Sequence, residues 1–182
     1  MLIINDYQKK LDSDTAIALG TFDGVHRGHE RVIGAAVSAA GCLGYKSAVL
    51  TFSSPFRAEA LCPLDEKLSF IEALGVDIAI VADIKSGIFA LDAQEFLSEI
   101  LVKNCRAKYI SCGFNYTFGK NAKGDAEALA LFCRDRGIAS NVIPPVMEGG
   151  VIISSSAIRE QLKIGDYNSA RKLLGHGGTF IK

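Results

Sequence analysis

The sequence has 182 residues, 49% of them apolar and 22% charged, which suits one globular domain with a substantial core. Its 20 basic residues balance its 20 acidic ones, so the net charge does not indicate a nucleic acid or an anionic membrane as a partner. No apolar run approaches the roughly 20 residues of a membrane span, and the start lacks the pattern of a secretory signal. Five scattered cysteines without a C-x-x-C pair indicate reduced thiols, so we expect a cytoplasmic protein.

Short apolar runs alternate with helical patterns along the chain. Strands are predicted at Ala16–Leu19, Ser47–Phe52, Ile78–Val81, Lys108–Cys112 and Ser140–Ile143. Helices are predicted near His29–Ala40, Asp65–Leu74, Ala93–Lys103, Asp125–Asp135, Ser156–Lys163 and Tyr167–Leu174, before an irregular tail, His176–Lys182. Because strands rich in Val and Ile alternate with helices, we expect an α/β protein with a parallel sheet of about five strands covered on both faces. Ligands of such sheets bind beyond the carboxyl ends of the strands.

The first predicted strand leads into a glycine-rich turn, Gly20–His29, with the sequence Gly-Thr-Phe-Asp-Gly-Val-His-Arg-Gly-His. Such a turn directs backbone N–H groups and a helix N-terminus at one point, which favours a bound phosphate. His26 and His29 lie three residues apart and can donate hydrogen bonds to charge that develops there. The alternative is a pair of surface or capping histidines. A metal site is disfavoured, because the only further histidine is His176 and no H-E-x-x-H pattern is present.

A second polar element, Ile153–Arg159, precedes and opens a predicted helix. One of its three serines is expected to be the helix N-cap. Ser155 and Arg159 are four residues apart and share one helical face, where they can form a polyphosphate clamp with the free N–H groups of the first turn. A surface salt bridge is the alternative for Arg159.

Two further elements follow predicted strands and are rich in aromatic residues. The loop Gly113–Gly119 carries three aromatic rings and an amide, which suits a planar heteroaromatic ligand, although the rings could equally belong to the core. The turn Phe52–Phe56 is stiffened by Pro55. All four elements are predicted to lie at the same edge of the sheet.

In this order the four elements resemble the bacterial FAD synthetase family, specifically its FMN adenylyltransferase module. The motifs are Gly20–His29, Gly113–Gly119 and Ile153–Arg159, and Gly165–Gly175 near the end is also similar to the family. The resemblance covers nearly the whole chain. It implies a Rossmann-like, doubly wound α/β fold with C-terminal helices, organised as one domain over residues 1–182. It also implies the reaction of ATP with FMN to give FAD and diphosphate in the presence of Mg²⁺.

The resemblance also implies roles for individual residues. His26, His29 and Arg159 would be catalytic, through contacts with the ATP phosphates and the leaving diphosphate. The residues expected to bind ATP are Gly20, Thr21, Phe22, Asp23, Gly24, His26, His29, Ser155, Ser156 and Arg159, and those expected to bind FMN are Phe52, Pro55, Asn115 and Phe118. Mg²⁺ would be held mainly by phosphate oxygens and water, so no metal-binding residues are predicted.

The chain departs from the family pattern in three places. The family commonly has Phe-x-Pro-His-Pro after the second strand, whereas this chain has Phe52-Ser53-Ser54-Pro55-Phe56, so a change in flavin binding is expected there, with Phe56 as a candidate for stacking on the ring. Asn115 stands where many relatives have Asp. Bifunctional members continue into a riboflavin kinase β-barrel, but this chain stops at Lys182, so we expect no kinase activity and FMN supplied by a separate riboflavin kinase.

Two other functions are compatible with the same residues. One is transfer of AMP or CMP to a different phosphate acceptor, for which the aromatic loop around Phe118 is the discriminating feature. The other is a non-catalytic flavin- or nucleotide-binding protein, suggested by the altered Phe52–Phe56 turn. Retention of both histidines and Arg159 favours catalysis.

Overall fold

Six parallel strands form the central sheet of the structure, a computed structural model that describes residues 1–55 and 59–177. The strands of the chain are β1 (Leu2–Ile4), β2 (Thr15–Leu19), β3 (Lys46–Phe52), β4 (Ile78–Ala82), β5 (Ala107–Gly113), β6 (Thr117–Phe118), β7 (Gly124–Asp125), β8 (Ala139–Ile143), β9 (Met147–Glu148) and β10 (Val151–Ile152). The central sheet has the order β1-β4-β3-β2-β5-β8, and β6 with β7 and β9 with β10 form two small antiparallel pairs. The predicted parallel α/β sheet is therefore confirmed.

Helices connect the strands of the sheet and follow it at the C-terminal side. They are α1 (Arg27–Leu43), α2 (Leu64–Ala73), α3 (Ala93–Glu95, continued by a π-helical segment over Phe96–Asn104), α4 (Ala126–Asp135), α5 (Ser155–Lys163) and α6 (Tyr167–Leu174). Two 3₁₀ turns lie at Ile88–Ala90 and Lys120–Ala122. Among the described helices, none has the length and apolar composition needed to cross a bilayer.

The sheet is covered on both faces because alternate residues of each strand belong to different clusters. In β2, Ile17 and Leu19 belong to a core cluster with Leu129 of α4, whereas Ala18 belongs to a cluster with Ile33 of α1. All five residues of β2 are buried, as expected for a central strand of a doubly wound sheet. The fold class predicted from the sequence is confirmed.

The connections place a crevice between β2 and β5. From β2 the chain passes through α1 to β3 on one side, whereas β5 pairs with β2 on the other side. The direction of winding reverses at this point, and in such sheets the loops after the two strands diverge and leave a ligand-binding crevice. The predicted turn after β2 and the predicted aromatic loop after β5 both start here.

The five predicted strands and six predicted helices are all found, with shifts of one or two residues at most ends. The additional sheet strand is β1, which the sequence prediction omitted. Its three residues pair with β4 at the edge of the sheet, and two of them are exposed, so no periodic pattern marks it. The tail, predicted to be irregular, lies partly outside the described residues.

The two C-terminal helices pack against the turn that follows β2. Ile158 of α5 and Leu174 of α6 belong to a small core cluster that also contains Leu61. A Cβ atom at Gly24 would lie 3.0 Å from a Leu61 methyl group and 3.2 Å from one of Leu174, so this turn fits closely against the cluster. The N-terminus of α5 is thereby fixed beside the N-terminus of α1.

Candidate active site

A cavity of about 860 Å³ opens at the carboxyl edge of the sheet, between the loops that follow β2 and β5. Its volume lies within the range of small-molecule sites. Ten of the predicted site residues line it, namely Gly20, Thr21, Phe22, His26, His29, Phe52, Asn115, Phe118, Ser155 and Ser156. The predicted residues Asp23, Gly24, Pro55 and Arg159 are described by the structure but are not part of this lining.

The turn after β2 has a strained backbone that its surroundings hold in place. Phe22 and Val25 have φ angles of 51° and 41°, in a region that a β-branched or bulky residue rarely adopts. Both side chains are 1% exposed, so packing stabilises this conformation. Gly20 is needed because a Cβ atom there would lie 2.8 Å from the Phe22 ring. The glycine-rich sequence thus folds the chain tightly at the floor of the cavity.

The two histidines stack against each other at the start of α1. Their ring centroids are 3.6 Å apart, and the interplanar angle is 15°. His26 is the N-cap of α1, since its Nδ1 accepts a hydrogen bond of 3.3 Å from the backbone N–H of His29. A Cβ atom at Gly28 would lie 3.2 Å from the His26 ring, which explains the glycine between them. Capping, one alternative for the pair, is therefore part of the role of His26.

Both imidazoles are held in the neutral form. Burial lowers the pKa of His26 to about 4, and burial together with the neighbouring His26 and Lys67 lowers the pKa of His29 well below its ordinary value. The Nδ1 atom of His29 is buried and has no hydrogen-bond partner among the described residues. A buried nitrogen without a hydrogen-bond partner is costly, so this position of the His29 ring is held by packing and not by a hydrogen bond at Nδ1.

The N-terminus of α5 contributes hydroxyl groups to the cavity. Ser154 is the N-cap, its side chain accepting a 3.1 Å hydrogen bond from the N–H of Ala157, which confirms that one of the three serines caps the helix. Ser155 donates a 2.9 Å hydrogen bond to the backbone carbonyl of Asp23. Ser155 and Ser156 line the cavity beside the free N–H groups of the first helical turn.

Arg159 forms an ion pair, the alternative considered for it in the sequence, but its partner Asp23 is buried. Its guanidinium pairs with the carboxylate of Asp23 and donates hydrogen bonds of 3.1 and 3.0 Å to the backbone carbonyl of Glu59. Asp23 also accepts a 2.8 Å hydrogen bond from the N–H of Leu61. Burial raises the pKa of Asp23, although Leu61, Arg159 and Lys67 oppose that shift. Ser155 and Arg159 do share one helical face, and both bind Asp23.

Aromatic side chains form another part of the cavity lining. Phe118 is 6% exposed and lies beside the rings of Phe96 and Tyr116, with centroids 5.4 and 5.8 Å away. Phe52 stacks on Phe89 with centroids 4.9 Å apart. The rings therefore belong to the core and line the cavity at the same time. Phe56, a candidate for flavin stacking, lies outside the described residues.

Among the lining or supporting residues that sequence reasoning missed, three come from elements not expected at the site. Ile88 and Phe89 come from the 3₁₀ turn after β4 and line the cavity, but a three-residue turn carries no periodic pattern. Lys67 of α2 is buried beneath the turn. A signal for Lys67 was present, because it falls on the apolar face of α2, three residues after Leu64 and four before Ile71.

A glycine-rich turn, two neutral imidazoles and a helix N-terminus converge at the switch point of a parallel sheet. The class defined by this fold and arrangement is the Rossmann-like nucleotidyltransferase fold. The FAD synthetase family model matches residues 8–157, and the chain belongs to the FAD synthetase family.

Curated relatives carry the name bifunctional riboflavin kinase/FMN adenylyltransferase. The protein of Listeria monocytogenes is 33% identical over 177 residues, covering 92% of this chain and 56% of the relative. Those of Escherichia coli K12 and Bacillus subtilis 168 are each 32% identical, with 88% and 96% of this chain and 54% and 57% of the relative covered. The chain thus spans little more than half the length of these relatives.

The fold also matches a solved structure. A crystal structure described as a macrolide-efflux protein from Streptococcus pneumoniae aligns with a TM-score of 0.84 and 30% sequence identity, covering 96% of this chain and 60% of that one. This likeness confirms the predicted architecture over almost the whole chain.

Proposed function

We propose that the chain is an FMN adenylyltransferase, which transfers AMP from ATP to FMN and releases diphosphate. The observation that carries this proposal is one cavity with two chemically different ends, a polar end at the N-termini of α1 and α5 and an aromatic end around Phe52 and Phe118. Membership of the FAD synthetase family supports the choice of substrates.

The reaction needs no covalent enzyme intermediate. A phosphate oxygen of FMN attacks the α-phosphorus of ATP, the bond between the α-phosphorus and the bridging oxygen breaks, and diphosphate leaves with that electron pair. Catalysis then consists of positioning both substrates and stabilising charge on the phosphoryl group.

His26 and His29 provide the stabilising contacts at the α-phosphate. Because both imidazoles are neutral and rigidly stacked, they offer ring nitrogens at fixed positions without needing to reorganise. A bound polyphosphate would also favour the protonated imidazole and raise its pKa.

The N-terminus of α5 receives the β- and γ-phosphates in this proposal. Ser155, Ser156 and the N–H groups of the first turn face the cavity, and the helix dipole adds positive potential there. The guanidinium of Arg159 is bound to Asp23 in the structure. To contact the phosphates, Arg159 would therefore release Asp23 when ATP binds. The turn that follows β2, here called the nucleotide turn, is shaped by Gly20, Thr21, Phe22 and Gly24.

FMN occupies the aromatic end, with its phosphate directed toward the histidines. Phe52 and Phe118 provide apolar walls for the isoalloxazine, and the exposed amide of Asn115 lies where it can reach the phosphate. Pro55 is assigned to the entrance, outside the lining of the cavity itself.

Mg²⁺ fits this site as an ion that arrives with the nucleotide. The described residues contain no cluster of three His, Cys, Asp or Glu side chains able to hold a metal, so phosphate oxygens, water and the Asn115 amide oxygen would bind it. When bound, the ion would neutralise phosphate charge. We also place the reaction in the cytoplasm, with FMN supplied by a riboflavin kinase.

The direct test is incubation of the purified chain with ATP, Mg²⁺ and FMN, with FAD and diphosphate quantified by chromatography. Equal amounts of both products are expected. Binding of ATP and FMN without FAD would indicate a non-catalytic binding protein. Binding of ATP without FMN would indicate a different phosphate acceptor.

A further inference from the structure

Lys67 is a buried cation beneath the cavity that the proposed mechanism does not use. Its residue exposure is 4%, and in residues 1–55 and 59–177 no other lysine or arginine is buried. Burying an ammonium group requires compensating partners, since its hydration is lost. Burial lowers the pKa of Lys67 to about 8, while the nearby Asp23 opposes the shift, so the group remains mostly charged at pH 7.

The ammonium group joins the ends of two neighbouring strands. Its Nζ donates to the carbonyl of Phe52 at 2.5 Å, to the carbonyl of Thr21 at 3.3 Å and to the hydroxyl of Thr51 at 3.4 Å. Thr51 in turn donates a 2.8 Å hydrogen bond to the carbonyl of Thr21. Lys67 and Thr51 therefore connect the turn after β2 with the last residues of β3.

Both strand ends line the cavity, through Thr21 and Phe52. The proposed function assigns Thr21 to the polar, nucleotide-binding end and Phe52 to the aromatic, flavin-binding end. The relative position of the two ends sets the distance between the substrates. A misplacement of about 1 Å between reacting groups can cost about a hundredfold in rate. A residue that fixes this distance therefore acts on the chemical step.

We infer that Lys67 is a positioning residue for adenylyl transfer, which holds the nucleotide turn and the flavin-side strand end at the separation that in-line attack requires. This inference rests on the proposed function, because it assigns ATP and FMN to the two ends. Lys67 itself does not line the cavity, so its effect on the substrates is transmitted through Thr21 and Phe52.

The test compares Lys67→Met and Lys67→Arg with Lys46→Met, a control at an exposed lysine on the amino end of β3, the strand that carries Thr51 and Phe52. Lys67→Met is expected to lower kcat at saturating substrates at least tenfold. The Kd values for FMN alone and for a non-hydrolysable ATP analogue alone should change less than threefold. Lys67→Arg keeps a charged donor and should recover most of the rate.

Thr51→Val provides a second variant that removes the hydroxyl bridge without changing the charge or the shape of the side chain. It should lower kcat less than Lys67→Met, again with little change in either Kd. The inference is overturned if Lys67→Met lowers kcat and weakens the binding of FMN and of the ATP analogue by the same factor, and if Lys67→Arg does not restore them. That result would show that Lys67 has only a structural role. A kcat of Lys67→Met equal to that of Lys46→Met would also overturn the inference.

A readout without turnover separates this inference from the proposed function. The ratio of FMN Kd values with and without the ATP analogue measures coupling between the two ends, and it should move toward one in Lys67→Met. If the wild-type chain forms no FAD, the proposed function fails, and this ratio alone decides the role of Lys67. An identical ratio in wild type and variant contradicts it.

Discussion

The two ends of the cavity are built in different ways. The polar end combines the segment Gly20–His29 with the N-terminus of α5, and Asp23 joins them by pairing with Arg159. Asp23 also accepts a hydrogen bond from the backbone N–H of Leu61. The aromatic end gathers rings from the ends of three strands, and some of its residues are exposed, such as Phe114 at 45%. Stabilising the charge that develops on the transferred phosphoryl group requires dipoles at fixed positions. Stacking on a planar ring tolerates replacement of one apolar or aromatic side chain by another. The departure from the family turn accordingly begins directly after Phe52, a residue of the aromatic end.

The largest effect is expected from His29→Ala, which removes a fixed group at the polar end. Turnover should fall about a hundredfold, the usual cost of losing one stabilising donor, because the contact matters most in the transition state. FMN affinity should change less than twofold. Steady-state kinetics and FMN titration measure both quantities. Loss of FMN affinity with unchanged turnover would contradict the separation of the two ends.

Arg159→Ala tests whether the polar end changes its partners when ATP binds. Loss of a charged hydrogen-bonding group should weaken ATP binding about tenfold. The variant also leaves the Asp23 carboxylate buried without its ion pair, which should cost about 3 kcal/mol of unfolding free energy. The double variant Asp23→Asn with Arg159→Ala should regain stability but not ATP affinity. Recovery of ATP affinity in the double variant would argue against a phosphate role for Arg159.

Acid should destabilise the fold through its buried histidines. Between the ordinary pKa of 6.5 and the folded value of about 4, the unfolded chain holds a proton at His26 that the folded chain lacks. Stability therefore falls as the pH drops below 6.5, by about 2 kcal/mol from His26 at pH 5. Urea unfolding at pH 7 and pH 5 measures this loss. His26→Asn keeps an N-cap and should show a smaller loss; an equal loss in both proteins would contradict the assignment.

The smallest effect is expected from Phe118→Leu at the aromatic end. FMN affinity should fall about threefold to tenfold, because one stacking wall becomes smaller, while ATP affinity stays nearly constant. Phe132→Leu, at an equally buried phenylalanine on α4 that does not line the cavity, controls for loss of core packing. If both variants reduce FMN affinity equally, Phe118 has no direct role in the flavin site.

The fold and the polar end could be predicted because local sequence determines them. Buried strands give continuous apolar runs, and Gly20 and Gly28 meet steric requirements that act within the segment Gly20–His29, such as the contact of Gly20 with Phe22. The capping by His26 and Ser154 is also local. The family predicted from these motifs is confirmed by the match over residues 8–157.

The features of the site that could not be predicted from the sequence depend on contacts between distant segments. Arg159 binds Asp23, which lies 136 residues away in the sequence. Lys67 binds the carbonyl of Thr21, and this contact exists only when the strands of the sheet are paired. Phe89 reaches the cavity because β4 pairs with β3, so that the two strands end side by side. No local sequence pattern predicts this pairing. The individual substrate-binding roles, including that of Pro55, stay predictions.

The most direct measurement follows labelled phosphorus through a single turnover. ATP labelled at the α-phosphorus, or separately at the γ-phosphorus, is mixed with excess wild-type chain, Mg²⁺ and FMN, and the products are separated. We expect the α-label in FAD and the γ-label in diphosphate, with both transfers slowed about a hundredfold in His29→Ala. Label in free AMP or inorganic phosphate, with none in FAD, would contradict adenylyl transfer to FMN in this cavity.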